Sequence, residues 1–332
     1  MKPKALLIMM KSQFENVYGP QELAAIRELC DLPVEFIPDT EALKQPELLK
    51  DMEILFSSWG CPRLDANFLA LAPKLKAVFY AAGSVRGFTT REMWDKGIVL
   101  TSSWAANGTP VAEMTLGEII LSLKRFWTYQ QPNCERLEGF PQRVFTPGLY
   151  HSTVGLVSLG MIGRKVARLL QNFEVEVIAY DPFAKPEAAA ELNVKLVTLE
   201  EVFQQADVVS LHTPWLKETE NMIRGRHFQM MKNGATFINT ARGAVVAEEE
   251  MLDVLEKRPD LTALLDVTYP EPPALDSRVY KLPNVFHTPH IAGSLNGECR
   301  RMARYAIDEC RRYLNGEPLQ WQITEKMAAT LA

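Results

Sequence analysis

Short apolar runs alternate with helix-period patterns twice along this chain, and that doubling constrains the fold more than any other feature of its 332 residues. From residue 4 to about 101 the apolar runs read ALLIMM, VEFI, EILFSS, LKAVFYAAG and GIVLTSS, with the helical pattern QELAAIREL and a helix from Asp65 among them. From residue 152 a second series begins: STVGLVSLG, VEVIAYD, VKLV, ADVVSLH, ATFINT, LTALLDV and NVFHTPH, again with helical text between most of them. A chain that returns to an apolar strand after each helix builds β-α units on a parallel sheet, because each crossover has to span the face of the sheet. Residues 109–128 join the two series, and Val111, Met114, Leu116, Ile119, Ile120 and Leu123 recur there at the spacing of one long helix. Residues 130–152 lack periodicity and carry proline and glycine, so loops or a projecting arm are expected. The last periodic stretch, about 295–314, carries Cys299, Met302, Ala303, Tyr305, Ala306 and Cys310 at helical spacing with no strand after it, which suggests a helix returning to the first domain. The expected fold is α/β, with two doubly wound parallel-sheet domains of the Rossmann or flavodoxin-like kind and a cleft between them. The expected boundaries are 1–106 with 294–332 for a discontinuous domain and 107–293 for a continuous one.

Composition narrows the partners. The chain is 47% hydrophobic and 23% charged, which is enough apolar material for two cores. Its formal net charge of -5 argues against wrapping nucleic acid or lying on an anionic membrane, since both need a basic face. A small molecule is the expected partner. Cys30, Cys61, Cys134, Cys299 and Cys310 form an odd set with no C-x-x-C pair, which fits reduced thiols in a cytoplasmic protein rather than a disulfide framework or a zinc knot. The ALLIMM run is too short for a signal peptide or a membrane span, and the apolar stretch 111–123 carries Glu113 and Glu118, so it reads as a core helix.

The segment TVGLVSLGMIGRKVARLLQNFEVEVIAYDP spells strand, tight turn, helix, strand and then Asp181. Ile162, Val166, Leu169, Leu170 and Phe173 share one helix face, so Gly160 and Gly163 fall where strand turns into helix. Unpaired amides and the dipole at such a helix start can hold a pyrophosphate. The candidate cradle is Ser158, Gly160, Met161, Ile162 and Gly163; Gly160 lets the backbone approach the phosphates, and Gly163 lets helix and strand pack closely. Asp181 stands at the tip of the second strand, where a carboxylate accepts hydrogen bonds from ribose hydroxyls and repels a 2'-phosphate. Pro182, Phe183 and Ala184 follow it with no arginine, so NAD (NADH) is expected over NADP. Ser158 stands where the dinucleotide fingerprint has its first glycine, and a serine takes that turn if its φ is negative.

Further turns at strand ends carry reactive side chains: FINTARGAVV places Arg242, LLDVTYPEP places Glu271, and VFHTPHIAGS places His290. All fall on the edge where a doubly wound sheet binds its ligand. Reducing a 2-keto acid takes a fixed cation for the carboxylate and ketone, a proton donor for the developing alkoxide, and a partner that orients the donor. A guanidinium forks onto a carboxylate as lysine cannot, and a histidine with a carboxylate on its far nitrogen is held in one tautomer. Singly, Arg242 also reads as a capping or surface arginine, Glu271 as a solvated loop residue and His290 as structural; jointly they read as a reaction centre.

The ordered strings TVGLVSLGMIGRKVARLL, YDP, ADVVSLHTP with KETENMI, MKNGATFINTARGAVV, LLDVTYPEP and LPNVFHTPHIAGS resemble the D-isomer-specific 2-hydroxyacid dehydrogenase family over nearly the whole length. The resemblance implies that Arg242 binds substrate, that His290 is the acid/base and that Glu271 orients it. It implies that Thr213, Pro214, Thr240, Ala241 and Asp266 line the nicotinamide and its ribose. It also implies that the discontinuous domain is the substrate domain, and that a homodimer forms largely through the nucleotide domains. A first-domain turn, AAGSVRGF with Gly83 and Ser84, would offer N–H groups to the substrate carboxylate; Ser84 and Arg86 stand where a glycine and an aspartate are usual. Trp59, in the SSWG turn, reads either as a cleft residue or as a packing indole.

The leading expectation is an NAD-dependent dehydrogenase interconverting a 2-keto acid and a D-2-hydroxy acid. Formate-type dehydrogenases resemble the family but pair the histidine with glutamine, which Glu271 speaks against. A non-catalytic NAD(H)-sensing binding protein on the same fold is the alternative of a different class. Which 2-keto acid is used is not written in these motifs.

Overall fold

The computed structural model describes residues 2–131, 134, 136–137, 140–141 and 143–330. The chain divides into two compact units, Met1–Gly108 with Ser294–Ala332 and Thr109–Gly293, so the first boundary falls after Gly108 rather than after residue 106.

In the first unit, parallel strands β1 (Ala5–Met9), β2 (Ile37–Pro38), β3 (Ile54–Ser57), β4 (Ala77–Tyr80) and β5 (Val99–Ser102) lie in the order β2-β1-β3-β4-β5. Strands β1, β3 and β4 are buried along their whole length, which is why they read as unbroken apolar runs. Successive residues point to opposite faces, so Leu6, Ile8, Leu55 and Val78 enter one core while Ala5, Leu7, Met9, Phe56 and Phe79 enter another. The helix Ala66–Leu71 covers the first of these; Asp65 caps it by accepting the Phe68 N–H at 3.1 Å. The helix Cys299–Asn315 covers the second with Cys299, Met302, Ala303, Ala306, Ile307 and Cys310. It follows a 3-10 turn over Asn296–Glu298, and Gly316 ends it with a φ of 69°. All five cysteines are free thiols.

In the second unit a short antiparallel pair, β6 (Arg136–Leu137) and β7 (Phe140–Pro141), occupies part of the expected arm; residues 132, 133, 135, 138, 139 and 142 of it lie outside the described residues. The parallel strands are β8 (Thr153–Val157), β9 (Glu176–Tyr180), β10 (Val194–Leu196), β11 (Val208–Leu211), β12 (Thr236–Asn239), β13 (Thr262–Leu265) and β14 (Val285–His287). Their order is β10-β9-β8-β11-β12-β13-β14. The chain winds outward from β8 through β9 and β10, then crosses back to lay β11 on the other side. The connections leaving β8 and β11 therefore diverge, and a crevice opens at their carboxyl ends.

The long helix runs over Trp104–Leu123 rather than over 109–128. Buried Ala105 and Ala106 are strong helix formers that extend it upstream, and Arg125, at a left-handed φ of 58°, separates it from the short helix Phe126–Gln130. Among the described residues no helix is long and apolar enough to cross a membrane.

Candidate active site

The turn after β8 differs from expectation. Ser158 takes a φ of 84°, in the left-handed region that a side chain disfavours, so the negative φ under which a serine would suit this turn is not met. The turn has to reverse sharply enough for the Leu159 N–H to reach Asp181 Oδ2 at 2.7 Å, and the Ser158 hydroxyl donates to the same oxygen at 3.4 Å. The helix Met161–Leu170 then starts from Gly160, and helix geometry leaves the first amides without intrahelical partners. A Cβ at Gly160 would meet nothing nearer than the Ser158 Oγ at 3.9 Å, so the space before those amides is open. A Cβ at Gly163 would sit 2.2 Å from the Ser158 carbonyl oxygen, so helix and strand touch there and only glycine fits. An open, amide-lined cradle at the switch point, with a carboxylate at the neighbouring strand tip, fits a dinucleotide with free ribose hydroxyls.

Beneath this helix the buried His212 lies 3.1 Å from the Ser210 hydroxyl, and burial pushes its pKa down to about 4. The Thr213 hydroxyl donates to the Val157 carbonyl at 3.4 Å, and the Pro214 carbonyl accepts from the Thr219 hydroxyl at 2.6 Å.

Neighbouring strands β12, β13 and β14 present the reactive side chains. After β12, buried Asn239 shapes the turn: its Oδ1 accepts the Ala241 N–H at 3.0 Å and its amide donates to the Arg242 carbonyl at 3.2 Å. The Thr240 hydroxyl lies 3.1 Å from that of Thr115 on the long helix. The Arg242 Nη1 donates to the Ala241 carbonyl at 2.6 Å. A Cβ on Gly243 would lie 2.0 Å from the Thr268 carbonyl carbon, so the turn carrying Arg242 lies against the segment that leads to Glu271.

After β13, Asp266 is only 2% exposed. Its Oδ1 accepts the Thr288 hydroxyl at 2.6 Å and the Ile291 N–H at 2.8 Å, and its Oδ2 accepts the Ala292 N–H at 2.9 Å. Its backbone carbonyl takes the His290 N–H at 3.0 Å. The turn held in this way sets His290 at a left-handed φ of 54°, with Nδ1 2.5 Å from Glu271 Oε1. Glu271 itself sits between cis peptides at Tyr269–Pro270 and Glu271–Pro272. Glu271 and His290 are thus brought together; the Arg242 guanidinium rests on its own turn.

Sequence reasoning gives Asp266 a place beside the nicotinamide and misses that it pins the His290 turn. It also misses Asn239 and Gly243, whose signal is a polar residue or a glycine directly after a buried strand. Glu118 reads from sequence only as a charge in an apolar helix. Its Oε2 is buried without a hydrogen-bond partner among the described residues, and burial, reinforced by the Asp266 charge, pushes its carboxyl up to about 8.

In the first unit, Gly83 and Ser84 follow β4, with Ser84 exposed; the Ser102 hydroxyl lies 2.6 Å from the Gly83 carbonyl. Trp59 packs against both cores of its unit, which favours the packing role. Arg86 donates to the Ala329 carbonyl at 3.0 Å. A groove of about 720 Å³ on the second unit is lined by Arg224, Glu248, Tyr269, Pro270 and Arg278, but by none of Arg242, Glu271 or His290. Arg224 is paired with Glu250, and Arg278 with Glu249, Asp253 and Glu256, so among the described residues both arginines of the groove are already paired with carboxylates.

The strand order and the amide cradle define a dinucleotide-binding α/β protein. Residues 119–292 match the family model described as D-isomer specific 2-hydroxyacid dehydrogenase, NAD binding domain. The chain belongs to the D-isomer specific 2-hydroxyacid dehydrogenase family, and NAD is its cofactor. It is 32% identical over 236 residues to D-3-phosphoglycerate dehydrogenase of Archaeoglobus fulgidus, covering 70% of this chain and 44% of that protein. It is 30% identical over 277 residues to hydroxypyruvate reductase of Thermotoga maritima, covering 81% of this chain and 88% of that protein. The solved structure of TT0316 protein from Thermus thermophilus superposes with a TM-score of 0.74 at 28% identity, covering 96% of this chain and 100% of that one. The chain spans about half the length of the D-3-phosphoglycerate dehydrogenases it matches.

Proposed function

We propose that the chain is an NAD-dependent oxidoreductase that interconverts a 2-keto acid and a D-2-hydroxy acid. The observation that carries this reading is the 2.5 Å contact between Glu271 Oε1 and His290 Nδ1. With Nδ1 committed to the carboxylate, Nε2 is left to give a proton to the developing alkoxide and to take it back in the oxidation direction. Arg242 turns from the Ala241 carbonyl to fork onto the substrate carboxylate and stabilise charge on the carbonyl oxygen. Bound NADH supplies the hydride that reduces C2. Ser158, Gly160, Met161, Ile162 and Gly163 seat the pyrophosphate and Asp181 the adenosine ribose, while Thr213, Pro214, Thr240, Ala241 and Asp266 line the nicotinamide end. Gly83 and Ser84 belong to the first unit, which serves as the substrate domain. The protein acts in the cytoplasm as a homodimer.

Loss of NADH absorbance with a panel of 2-keto acids tests the reading, with hydroxypyruvate and glyoxylate placed first because two relatives are named as their reductases. His290→Ala is expected to keep NADH binding and lose about 10² to 10⁴ in turnover; a near-normal kcat in that variant refutes the assignment. Tight NADH binding without turnover on any keto acid replaces the enzyme by the NAD-sensing protein.

A further inference from the structure

A carboxylate offers about four lone-pair positions to donors, and at Asp181 the chain itself fills them. Oδ1 accepts the N–H groups of Phe183 at 2.8 Å and Ala184 at 3.0 Å. Oδ2 accepts the Leu159 N–H at 2.7 Å and the Ser158 hydroxyl at 3.4 Å. The backbone amides are fixed by the turns after β8 and β9. Only the serine hydroxyl can leave by rotating about its own Cα–Cβ bond, and it makes the longest contact of the set. The same serine holds a φ of 84°, a conformation in which glycine has no side chain to accommodate. The Ser158 Oγ also lies 3.9 Å from the Cβ position of Gly160, so the hydroxyl sits between the ribose carboxylate and the pyrophosphate cradle.

We infer that Ser158 is a specificity-determining residue for the cofactor: its hydroxyl occupies the position on Asp181 that an adenosine ribose hydroxyl requires. Binding NADH therefore exchanges one hydrogen bond for another instead of adding one, and the released hydroxyl has to find a new acceptor beside the diphosphate. That position is the one the 2'-hydroxyl of NADH takes; NADPH keeps its 3'-hydroxyl but carries a phosphate in place of the 2'-hydroxyl, so it brings no donor to that position and meets the same carboxylate charge. Ser158 thereby sets how far NADH is preferred over NADPH. The inference rests on NAD occupying this loop.

The test is a fluorescence titration of the full chain, S158G and S158A with NADH and with NADPH, accompanied by the melting temperature of each apo protein. Both variants are expected to bind NADH about three- to tenfold more tightly, the scale of one added hydrogen bond, with NADPH affinity changed by less than about twofold. S158A retains the Cβ and its left-handed backbone, so a gain shared by both variants traces to the hydroxyl. A gain confined to S158G while S158A keeps the parent's melting temperature traces to the backbone and overturns the inference, as does equal or weaker NADH binding in both. A loop that fails to form in S158A weakens both cofactors together and lowers the melting temperature; S158G, free of the left-handed cost, then decides alone by its NADH-to-NADPH ratio. If none of the three proteins binds NADH, the cofactor assignment falls as well, whereas unchanged affinities sink the inference by itself.

Discussion

Asp266 and Glu118 show how a side chain's meaning depends on what closes around it. Asp266 spends its carboxylate on Thr288, Ile291 and Ala292, so the position of His290 depends on it. Glu118, close enough to Asp266 to feel its charge, has no hydrogen-bond partner for its buried Oε2 among the described residues. Below about 4.5 Glu118 is neutral in the folded and unfolded chain alike and costs nothing. As pH rises from there to about 8 the unfolded chain ionises while the folded chain keeps its proton, so stability is lost, in total on the order of 5 kcal/mol at most. Glu118→Gln is expected to melt at a similar temperature to the parent near about pH 4 and clearly higher near about pH 9. A variant that tracks the parent at both pH values contradicts a buried neutral carboxyl. The pairing of Glu271 with His290 was legible in the sequence because each closes its own strand-end turn in a reaction-shaped set. The Asp266 clamp was not, because it exists only once β13 and β14 lie side by side and their two turns meet.

At the scale of elements, the alternation of apolar runs and helical text located both sheets, since strands buried on two faces leave no polar alternation to confuse the reading. The long helix starts upstream of its expected place because Trp104, Ala105 and Ala106 read as the end of a strand-turn segment, and only the burial of the two alanines shows them to be helical. The condition under which a serine suits the Ser158 turn, a negative φ, is not met, since Leu159 and Ser158 turn to reach Asp181, more than twenty residues along the chain. Element contacts also make a prediction at Gly243. The turn carrying Arg242 lies so close to Thr268 that Gly243→Ala must push the two segments apart. Cofactor affinity is expected to hold while kcat/KM falls by about tenfold or more, the penalty of misplacing a substrate-binding guanidinium by a fraction of an ångström to an ångström. Steady-state kinetics alongside NADH titration separates the two, and an unchanged kcat/KM excludes the role given to this contact.

For the whole molecule, the exposed aromatic and apolar residues Phe126, Val144, Phe145 and Tyr150 cluster in sequence around the arm of the second unit. Large exposed apolar groups in one stretch mark association surfaces. Sedimentation is expected to show twice the 37.5 kDa chain mass, and a monomer at micromolar concentration would remove the homodimer from the proposed function. The division into units carries another consequence. Strands β1, β3 and β4 lack one of their cores until Cys299–Asn315 arrives, because Met302, Ala306 and Ile307 of that helix fill it. During synthesis this sheet therefore emerges before Thr109–Gly293 yet must wait, half-covered, until the helix Cys299–Asn315 has been made. Thr109–Gly293 needs no such late arrival, and order of synthesis and order of folding run in opposite directions.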